Sequence, residues 1–200
     1  LDEQDVTIKA LRRELMGASS YEEWTAAALR LDELEGGDLW KQDDDASYYD
    51  STLIRHRLQV MRKALKERDL PTIMLSLRSG LSRHLGGMGS PQLYLHTRFG
   101  TKDLIHEHQE VMSQLLWEVA QAPHDLLPLD KRLCFFSDSR HALGKTALLL
   151  SGGAGLGMYH FGVIKALWKQ KLLPRVISGS SAGSIVAGII GVFDGDDMRD

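Results

Sequence analysis

The chain has 200 residues, of which 43% are hydrophobic and 26% are charged, and its formal net charge at pH 7 is −3. These proportions are typical of a soluble globular protein with one or two domains. The slightly acidic balance argues against a nucleic-acid-binding protein, for which a strongly basic face is expected. The single cysteine, Cys134, excludes a disulfide framework, and its position beside Phe135 and Phe136 predicts a small buried hydrophobe.

Transmembrane and metal-binding patterns are missing from the sequence. No apolar run reaches the roughly 18 residues that a membrane-spanning helix needs. The 8 histidines show no H-E-x-x-H or similar pattern, and Cys134 has no partner at metal-ligand spacing, so we expect no metal and no cofactor. Residue 1 is leucine rather than methionine, and we therefore expect the true N-terminus to lie upstream of this chain.

Helical periodicity runs through residues 1–122 and predicts an N-terminal helical domain over that range. Two helices are predicted at its start. The second begins with a capping box formed by Ser20 and Glu23 and ends at Gly36-Gly37. We interpret the apolar faces of both helices as packing faces.

A polar connection at residues 36–51 carries three consecutive aspartates, Asp43, Asp44 and Asp45. Three adjacent carboxylates could bind a cation, but no spaced ligand loop of the EF-hand type follows them. A solvated loop is therefore the favoured interpretation.

Residues 52–122 carry three further helical patterns. Their apolar stripes are Ile54, Leu58, Met61 and Leu65 in the first, Leu70, Ile73, Met74, Leu77 and Leu81 in the second, and Leu104, Ile105, His108, Val111, Met112, Leu115, Leu116 and Val119 in the third. Beside its apolar stripe the first pattern is basic, at Arg55, Arg57, Arg62, Lys63, Lys66 and Arg68. This basic strip could lie on anionic lipid headgroups, although such strips are more often solvated faces. Asp69 and Pro71 predict the start of the second helix, and Thr101 is expected to cap the third. His108 lies on the apolar stripe of that third helix and is interpreted as a histidine at the edge of the core.

Pro123, Pro128 and Asp130 act as helix breakers and predict a linker at residues 123–144. From about residue 145 onwards, the pattern predicts two consecutive strand–turn–helix units. The strand of the first unit is the apolar run Leu148-Leu149-Leu150, and the strand of the second follows Pro174.

The second of these units has a G-x-S-x-G sequence between its strand and its helix. Ser181 stands where the strand becomes a helix, with Gly179 and Gly183 at two residues on either side. A nucleophile elbow needs small neighbours there, because the turn is sharp and strained. Such a turn would expose the Ser181 hydroxyl at a helix N-terminus, where backbone N–H groups favour a developing negative charge. The string alone is common, and a helix N-cap is the competing interpretation.

The first unit has a turn rich in glycine, with Gly152, Gly153, Gly155 and Gly157 between strand and helix. Glycines in such a turn let backbone N–H groups approach an anion closely, and the anion could be a phosphate or an acyl oxyanion. The phosphate interpretation is disfavoured, because neither G-x-G-x-x-G nor a complete P-loop is present. We therefore expect no nucleotide, and an oxyanion hole is favoured because a nucleophile elbow comes next.

This segment resembles the patatin-like phospholipase family, and most of all the triacylglycerol lipases of plants and fungi. The likeness is carried by Ser151-Gly152-Gly153-Ala154-x-x-Gly157, Tyr159-His160-x-Gly162-Val163 and Gly179-Ser180-Ser181-Ala182-Gly183. The stretch from Trp40-Lys41 to Gly100-Thr101-Lys102-Asp103-Leu104-Ile105 resembles the helical domain that precedes the patatin core in those same lipases.

The resemblance implies an α/β fold class, in which a helical N-terminal domain is followed by the first two strand–turn–helix units of a three-layer α/β/α sandwich. Residues 145–200 are expected to be an incomplete, truncated start of that catalytic domain, since two strands cannot complete such a sheet.

The resemblance also implies roles for individual residues. Ser181 would be the nucleophile, Gly179 and Gly183 the small residues of its elbow, and Gly152, Gly153, Ala154 and Ala182 the source of the oxyanion-hole N–H groups. In the family an aspartate on a D-G-[GA] motif activates the serine directly. The nearest string here, Asp194-Gly195-Asp196, is expected at the wrong end of the helix that follows Ser181. We therefore expect the catalytic aspartate beyond Asp200, and we expect this chain alone to be inactive.

The implied function is that of a serine acyl hydrolase, a triacylglycerol lipase that cleaves fatty-acyl esters of neutral lipids through a Ser-Asp dyad in lipid degradation. The implied partners are an acylglycerol or phospholipid substrate and a lipid-droplet or membrane surface, at an intracellular location. Two alternatives stay open. One is a phospholipase A or lysophospholipid transacylase with the same nucleophile, and the other is a non-catalytic protein that binds a lipid droplet or a partner.

Overall fold

The computed structural model of the chain describes residues 3–192. It divides into two compact units, residues 1–143 and residues 144–200. Within the described part, the first unit is helical and the second alternates strands with helices.

Seven α-helices form the described part of the first unit. They are α1 (Glu3–Gly17), α2 (Tyr21–Leu34), α3 (Gly37–Gln42), α4 (Ser51–Glu67), α5 (Leu70–Gly80), α6 (Asp103–Gln121) and α7 (Leu129–Leu143). Short 3-10 turns at Leu85–Gly87 and Pro91–Tyr94 lie in the connection between α5 and α6.

Side-chain caps begin three of these helices. Ser20 Oγ accepts a hydrogen bond from the Glu23 backbone N–H at 3.2 Å, as the capping box predicts, and Asp50 and Asp69 cap α4 and α5 in the same way. The cap predicted at Thr101 is wrong. The residue that precedes α6 is Lys102, and the Thr101 hydroxyl instead donates to the Leu93 carbonyl at 2.7 Å.

The core of the first unit lies between α4, α5 and α6, each of which packs against the other two. Its members are apolar residues of the predicted stripes, among them Ile54, Leu58, Met61, Ile73, Leu77, Ile105, Met112, Leu115 and Val119. Burying one side chain of this kind stabilises the folded state by about 1.5–3 kcal/mol. Most of this core consists of residues that the helical periodicity predicts to face inward. Helices α1 and α2 pack against each other.

A buried lysine anchors the connection between α3 and α4. The Lys102 side chain is fully buried, and its Nζ donates to the carbonyl oxygens of Trp40 at 2.7 Å and Asp43 at 2.6 Å. The ammonium also lies 4.0 Å from the centre of the Trp40 ring. The aspartate run is thus held through its backbone, while the Asp44 carboxylate pairs with Arg55.

The interpretation of residues 123–144 as a linker is wrong for most of that stretch, because α7 occupies residues 129–143. Pro128 precedes the helix and does not interrupt it, and proline is tolerated at a helix start. Phe135 is fully buried, and α7 packs against α5. Cys134 is exposed, contrary to the prediction, because adjacent helical residues point about 100° apart and Phe135 takes the inward position.

The second unit is built from two strand–turn–helix units. The order is β1 (Ala147–Leu150), α8 (Tyr159–Lys169), β2 (Val176–Gly179) and α9 (Ala182–Val192), with a 3-10 turn at Ala154–Met158. The strands pair in parallel, and the α/β fold class predicted for this segment is confirmed. Leu150, Ile164, Val186 and Ile190 form its small buried core.

Candidate active site

The two turns of the second unit lie at the same edge of the sheet. In the parallel pair, Leu150 at the end of β1 is opposite Gly179 at the end of β2. The Ser180 N–H donates to the Leu150 carbonyl at 3.0 Å and extends this contact past the last strand residue. The carboxyl ends of parallel strands are where open α/β sheets bind ligands.

The second turn is a strained elbow centred on Ser181. This residue has a φ of +51°, a left-handed conformation that a residue with a Cβ rarely adopts. A Cβ on Gly179 would lie 2.2 Å from the Gly183 carbonyl oxygen, and a Cβ on Gly183 would lie 2.2 Å from the Leu150 carbonyl oxygen. Both flanking positions therefore require glycine on steric grounds.

Ser181 is exposed and stands immediately before α9, which begins at Ala182. Its own carbonyl accepts hydrogen bonds from the Ser184 N–H at 2.9 Å and from the Ser184 hydroxyl at 2.6 Å. These bonds fix the backbone of the elbow, and Ser181 stands just outside the N-terminal end of α9. The positive end of a helix favours negative charge at such a position.

The glycine-rich turn lies against the elbow. A Cβ on Gly152 would lie 3.1 Å from the Ser181 Cβ and 3.7 Å from the Ser181 Oγ. Gly157 is packed even more tightly, since a Cβ there would lie 2.5 Å from the Ala182 Cβ. Between them Ala154 takes a left-handed φ of +47°, which bends the loop into the 3-10 turn. The bare backbone of Gly152 thus lies next to the Ser181 side chain, and that of Gly157 lies next to Ala182.

His160 also lies in this region, although its sequence neighbours predict no role for it. It lies in the first turn of α8, and its Nε2 is 2.8 Å from the Ser151 carbonyl oxygen. Because a carbonyl only accepts, Nε2 carries the proton in this contact. The imidazole therefore ties α8 to the first residue of the glycine-rich turn. No sequence signal indicated this contact, because it joins residues whose approach depends on the loop conformation.

The described part of the second unit contains no acidic side chain. Residues 144–192 hold no Asp and no Glu, whereas Lys145, Lys165, Lys169, Lys171 and Arg175 are positively charged. The string Asp194-Gly195-Asp196 lies outside the described residues, and so does any aspartate beyond it. Residues 144–192 therefore offer no carboxylate that could act as the base for Ser181.

No group of three or more His, Cys, Asp or Glu side chains in the described part of the chain is arranged to hold a metal ion. Likewise, none of the helices between residues 3 and 192 combines the length and apolar character that crossing a bilayer requires.

Comparison with known proteins yields two family matches. Residues 3–141 match the family described as "Domain of unknown function (DUF3336)", and residues 148–200 match the family described as "Patatin-like phospholipase". No solved structure matches the chain.

Several curated proteins are similar over most of the chain. "Triacylglycerol lipase 4" of Saccharomyces cerevisiae is 38% identical over 98% of this chain and 21% of its own length. "Triacylglycerol lipase SDP1L" of Arabidopsis thaliana is 37% identical over 92% of this chain and 22% of its own. "Triacylglycerol lipase ptl3" of Schizosaccharomyces pombe is 38% identical over 85% of this chain and 35% of its own length. The chain thus spans between 21% and 35% of the length of these relatives.

The second unit is an α/β structure in which a serine stands at a strained turn between a parallel strand and a helix, with a glycine-rich turn packed against it. The chain belongs to the family described as "Domain of unknown function (DUF3336)", and the segment that follows this region matches the start of a patatin-like phospholipase domain.

Proposed function

We propose that this chain belongs to a serine acyl hydrolase that cleaves fatty-acyl esters of neutral lipids. Ser181 Oγ attacks the ester carbonyl carbon and loses its proton to a base, which forms a tetrahedral intermediate. Collapse of the intermediate breaks the bond to the alcohol, which leaves with that proton and leaves the acyl group on Ser181. Water then hydrolyses the acyl-enzyme and releases the fatty acid.

The oxyanion of the intermediate is stabilised by backbone N–H groups in this proposal. Gly152, Gly153 and Ala154 supply them from one side, and Ala182 supplies another from the start of α9. Removing one such donor typically costs about 3–4 kcal/mol of transition-state stabilisation. Backbone donors need no side chain at these positions, which agrees with the glycine content of the loop.

One observation carries the proposal. A Cβ on Gly152 would lie 3.7 Å from Ser181 Oγ, so the backbone of the glycine-rich turn at Gly152 lies beside the hydroxyl. A serine acting only as a helix cap would have no need of a second bare loop at this distance. The positive φ at Ser181 supports the same conclusion, because strain of this kind is concentrated at functional sites.

The base in the proposal is an aspartate, as the family resemblance implies. It lies outside the described residues, because residues 144–192 contain no carboxylate. We further propose that the helical region and the segment from residue 145 onwards are separate domains, and that only the second contributes catalytic groups. No cofactor takes part in this reaction.

Triacylglycerol is the proposed substrate, because three similar proteins are named triacylglycerol lipases. The proposal places the enzyme inside the cell on a lipid-droplet or membrane surface. Exposed basic residues of α4, Lys63 and Lys66, are available to anionic headgroups, whereas Arg55 and Arg62 are paired with Asp44 and Glu107. Phospholipid is the second candidate substrate, since the family matched by residues 148–200 is described as a phospholipase.

The test uses the full-length protein and its Ser181→Ala variant on emulsified triacylglycerol and on phospholipid vesicles. We expect hydrolysis of triacylglycerol by the wild type and none above background by S181A. The matched control is Ser178→Ala, which alters an exposed serine of β2 and is expected to leave the activity unchanged.

Labelling by a fluorophosphonate distinguishes the nucleophile from a bystander. Wild type and S178A should be labelled, and S181A should not. Labelling or hydrolysis that persists in S181A would overturn the assignment of the nucleophile. A greater rate on phospholipid than on triacylglycerol would favour the second candidate substrate.

A further inference from the structure

A groove in the first unit is lined by a buried histidine, His108, whose ring nitrogens form no hydrogen bond with the described residues. The groove has a volume of about 260 Å³ and is bounded by α4 and α5, with His108 of α6 among its lining residues. His108 is only 2% exposed, as expected for a residue on the apolar stripe. Among the described residues, neither of its ring nitrogens has a hydrogen-bond partner.

Two unpaired ring nitrogens are costly in the interior. Burying a polar group without a hydrogen bond costs about 1–3 kcal/mol, and most such groups are satisfied in folded proteins. An apolar residue at position 108 would avoid this cost and continue the stripe of α6. A ligand bound in the groove could supply the hydrogen bond that the imidazole lacks.

The other polar groups that line the groove are suited to binding an anionic ligand. Its lining includes Arg57 and His56, together with hydroxyl groups such as that of Ser76, and it includes no Asp or Glu. The Arg57 guanidinium donates to Ser79 Oγ at 3.2 Å, which uses one of its five N–H groups. Burial, and then the nearby positive charge of Arg57, lower the pKa of His108, so Arg57 lies within electrostatic range of the ring.

The remaining wall of the groove is apolar. Val60, Met61 and Leu75 contribute to it, and Leu75 is 67% exposed where the groove opens to solvent. The volume equals that of roughly nine water molecules at about 30 Å³ each. This space accommodates one small charged group with a short aliphatic segment, and a longer chain would continue over the exposed edge.

We propose that the groove between α4, α5 and α6 binds the carboxylate end of a fatty acid. The carboxylate lies between His108 and Arg57 and accepts hydrogen bonds from both, while the alkyl chain packs on Val60 and Leu75. The choice of a fatty carboxylate rests on the proposed function, since an acyl hydrolase releases such an acid. The anion-binding arrangement of His108 and Arg57 does not depend on it.

The experiment uses the 200-residue chain and three probes, namely octanoate, octanol and acetate. Binding is measured by calorimetry and by NMR of the histidine side chains, with the His108 signal assigned by its loss in His108→Asn. We expect saturable binding of octanoate that shifts the His108 ring signals. Octanol lacks the charge and acetate lacks the chain, so both should bind more weakly by about tenfold or more.

Variants of α4 test the role of the cation. Arg57→Gln should weaken octanoate binding by about tenfold or more, because a charge-assisted hydrogen bond is lost. The control Arg13→Gln makes the same substitution at an exposed position of α1 outside the groove, and it should leave the affinity unchanged. Since Arg57 is only partly buried, R57Q remains informative even if H108N fails to fold.

Three outcomes would overturn the proposal. They are the absence of a saturable shift of His108, octanol binding as tightly as octanoate, and unchanged octanoate affinity in R57Q. A fourth comparison separates this proposal from the hydrolase assignment. Octanoate should bind the Ser181→Ala variant as tightly as it binds the wild type, because Ser181 is not part of the groove. Loss of hydrolysis in S181A therefore tests the hydrolase assignment, whereas loss of octanoate binding in R57Q tests the groove.

Discussion

Gly183 approaches the Leu150 carbonyl so closely that a Cβ on the glycine would lie 2.2 Å from that oxygen. The first turn of α9 and the last residue of β1 therefore touch through their backbones. This contact brings the elbow that carries Ser181 to the end of the neighbouring strand, where the glycine-rich turn begins. Position 183 is therefore one of the positions between the two turns that admit no side chain larger than hydrogen.

Two glycines of α9 make a matched pair that tests this contact. Gly183→Ala should destabilise the second unit by about 1–3 kcal/mol or more, because backbone atoms must move to admit the methyl group. Gly188→Ala should stabilise it by about 0.5–1 kcal/mol, because a Cβ there would meet nothing within 4 Å and alanine favours the helix. Hydrogen exchange of the β1 and β2 amides in the 200-residue chain measures both effects. Equal protection in the two variants would contradict the expected contact.

The hydrogen bond from His160 to Ser151 should influence the rate of acylation. In the full-length protein, His160→Phe removes the donor to the Ser151 carbonyl and frees the start of the glycine-rich turn. We expect kcat to fall by about fivefold to tenfold, the loss that corresponds to one hydrogen bond, with KM little changed. His160→Gln keeps a side-chain donor and should recover part of the rate. The same order should appear in the rate of fluorophosphonate labelling, and a KM effect without a kcat effect would argue against a positioning role.

The isolated 200-residue chain should not turn over a long-chain ester. Its segment from residue 144 to residue 192 supplies Ser181 but no carboxylate that could take the proton. Ester hydrolysis by the chain is therefore expected to equal that of its Ser181→Ala variant in a fluorescent assay. Activity that disappears in S181A would show that the chain holds a complete catalytic set, and the proposed aspartate would have to be replaced.

The burial of His108 predicts that the first unit loses stability in acid. Its pKa in the folded chain is lowered from 6.5, chiefly by burial and then by the positive charge of Arg57. Between the folded and the unfolded pKa the unfolded chain binds the extra proton, so the free energy of unfolding rises with pH. The stability is fully present above about pH 6.5 and is lost as the pH falls towards the folded pKa.

Urea unfolding of wild type and His108→Asn at about pH 7.5 and about pH 5.5 measures this dependence. The wild type should lose more stability on acidification, by at most about 1.36 kcal/mol per pH unit relative to the variant. The difference between the two proteins removes the contribution of the other titrating groups. Identical slopes would mean that His108 becomes protonated as readily in the folded chain as in the unfolded one.

The local features of this protein could be predicted from its sequence. The stripes of α4, α5 and α6, the caps at Ser20 and Asp69, and the strand–turn–helix order around Ser181 all follow from neighbours within a few positions. The helix α7 does not follow from the sequence pattern, because Pro123 and Pro128 precede it and its inward face is short. The exposure of Cys134 is equally hard to predict, since a shift of one residue on a helix exchanges a buried for an exposed position.

What only the tertiary structure decided are the contacts between residues far apart in the chain. Asp32 is 1% exposed and accepts hydrogen bonds from the Arg98 and Phe99 N–H groups, and Lys102 reaches the Trp40 carbonyl. The unpaired ring of His108 is of the same kind, and so is the packing of Gly152 against Ser181, where an added Cβ would lie 3.7 Å from Oγ. The sequence by itself determined which residue types stand at each turn and stripe, because those depend on local backbone geometry. Which of them meet depends on how the elements pack, and packing is a property of the whole fold.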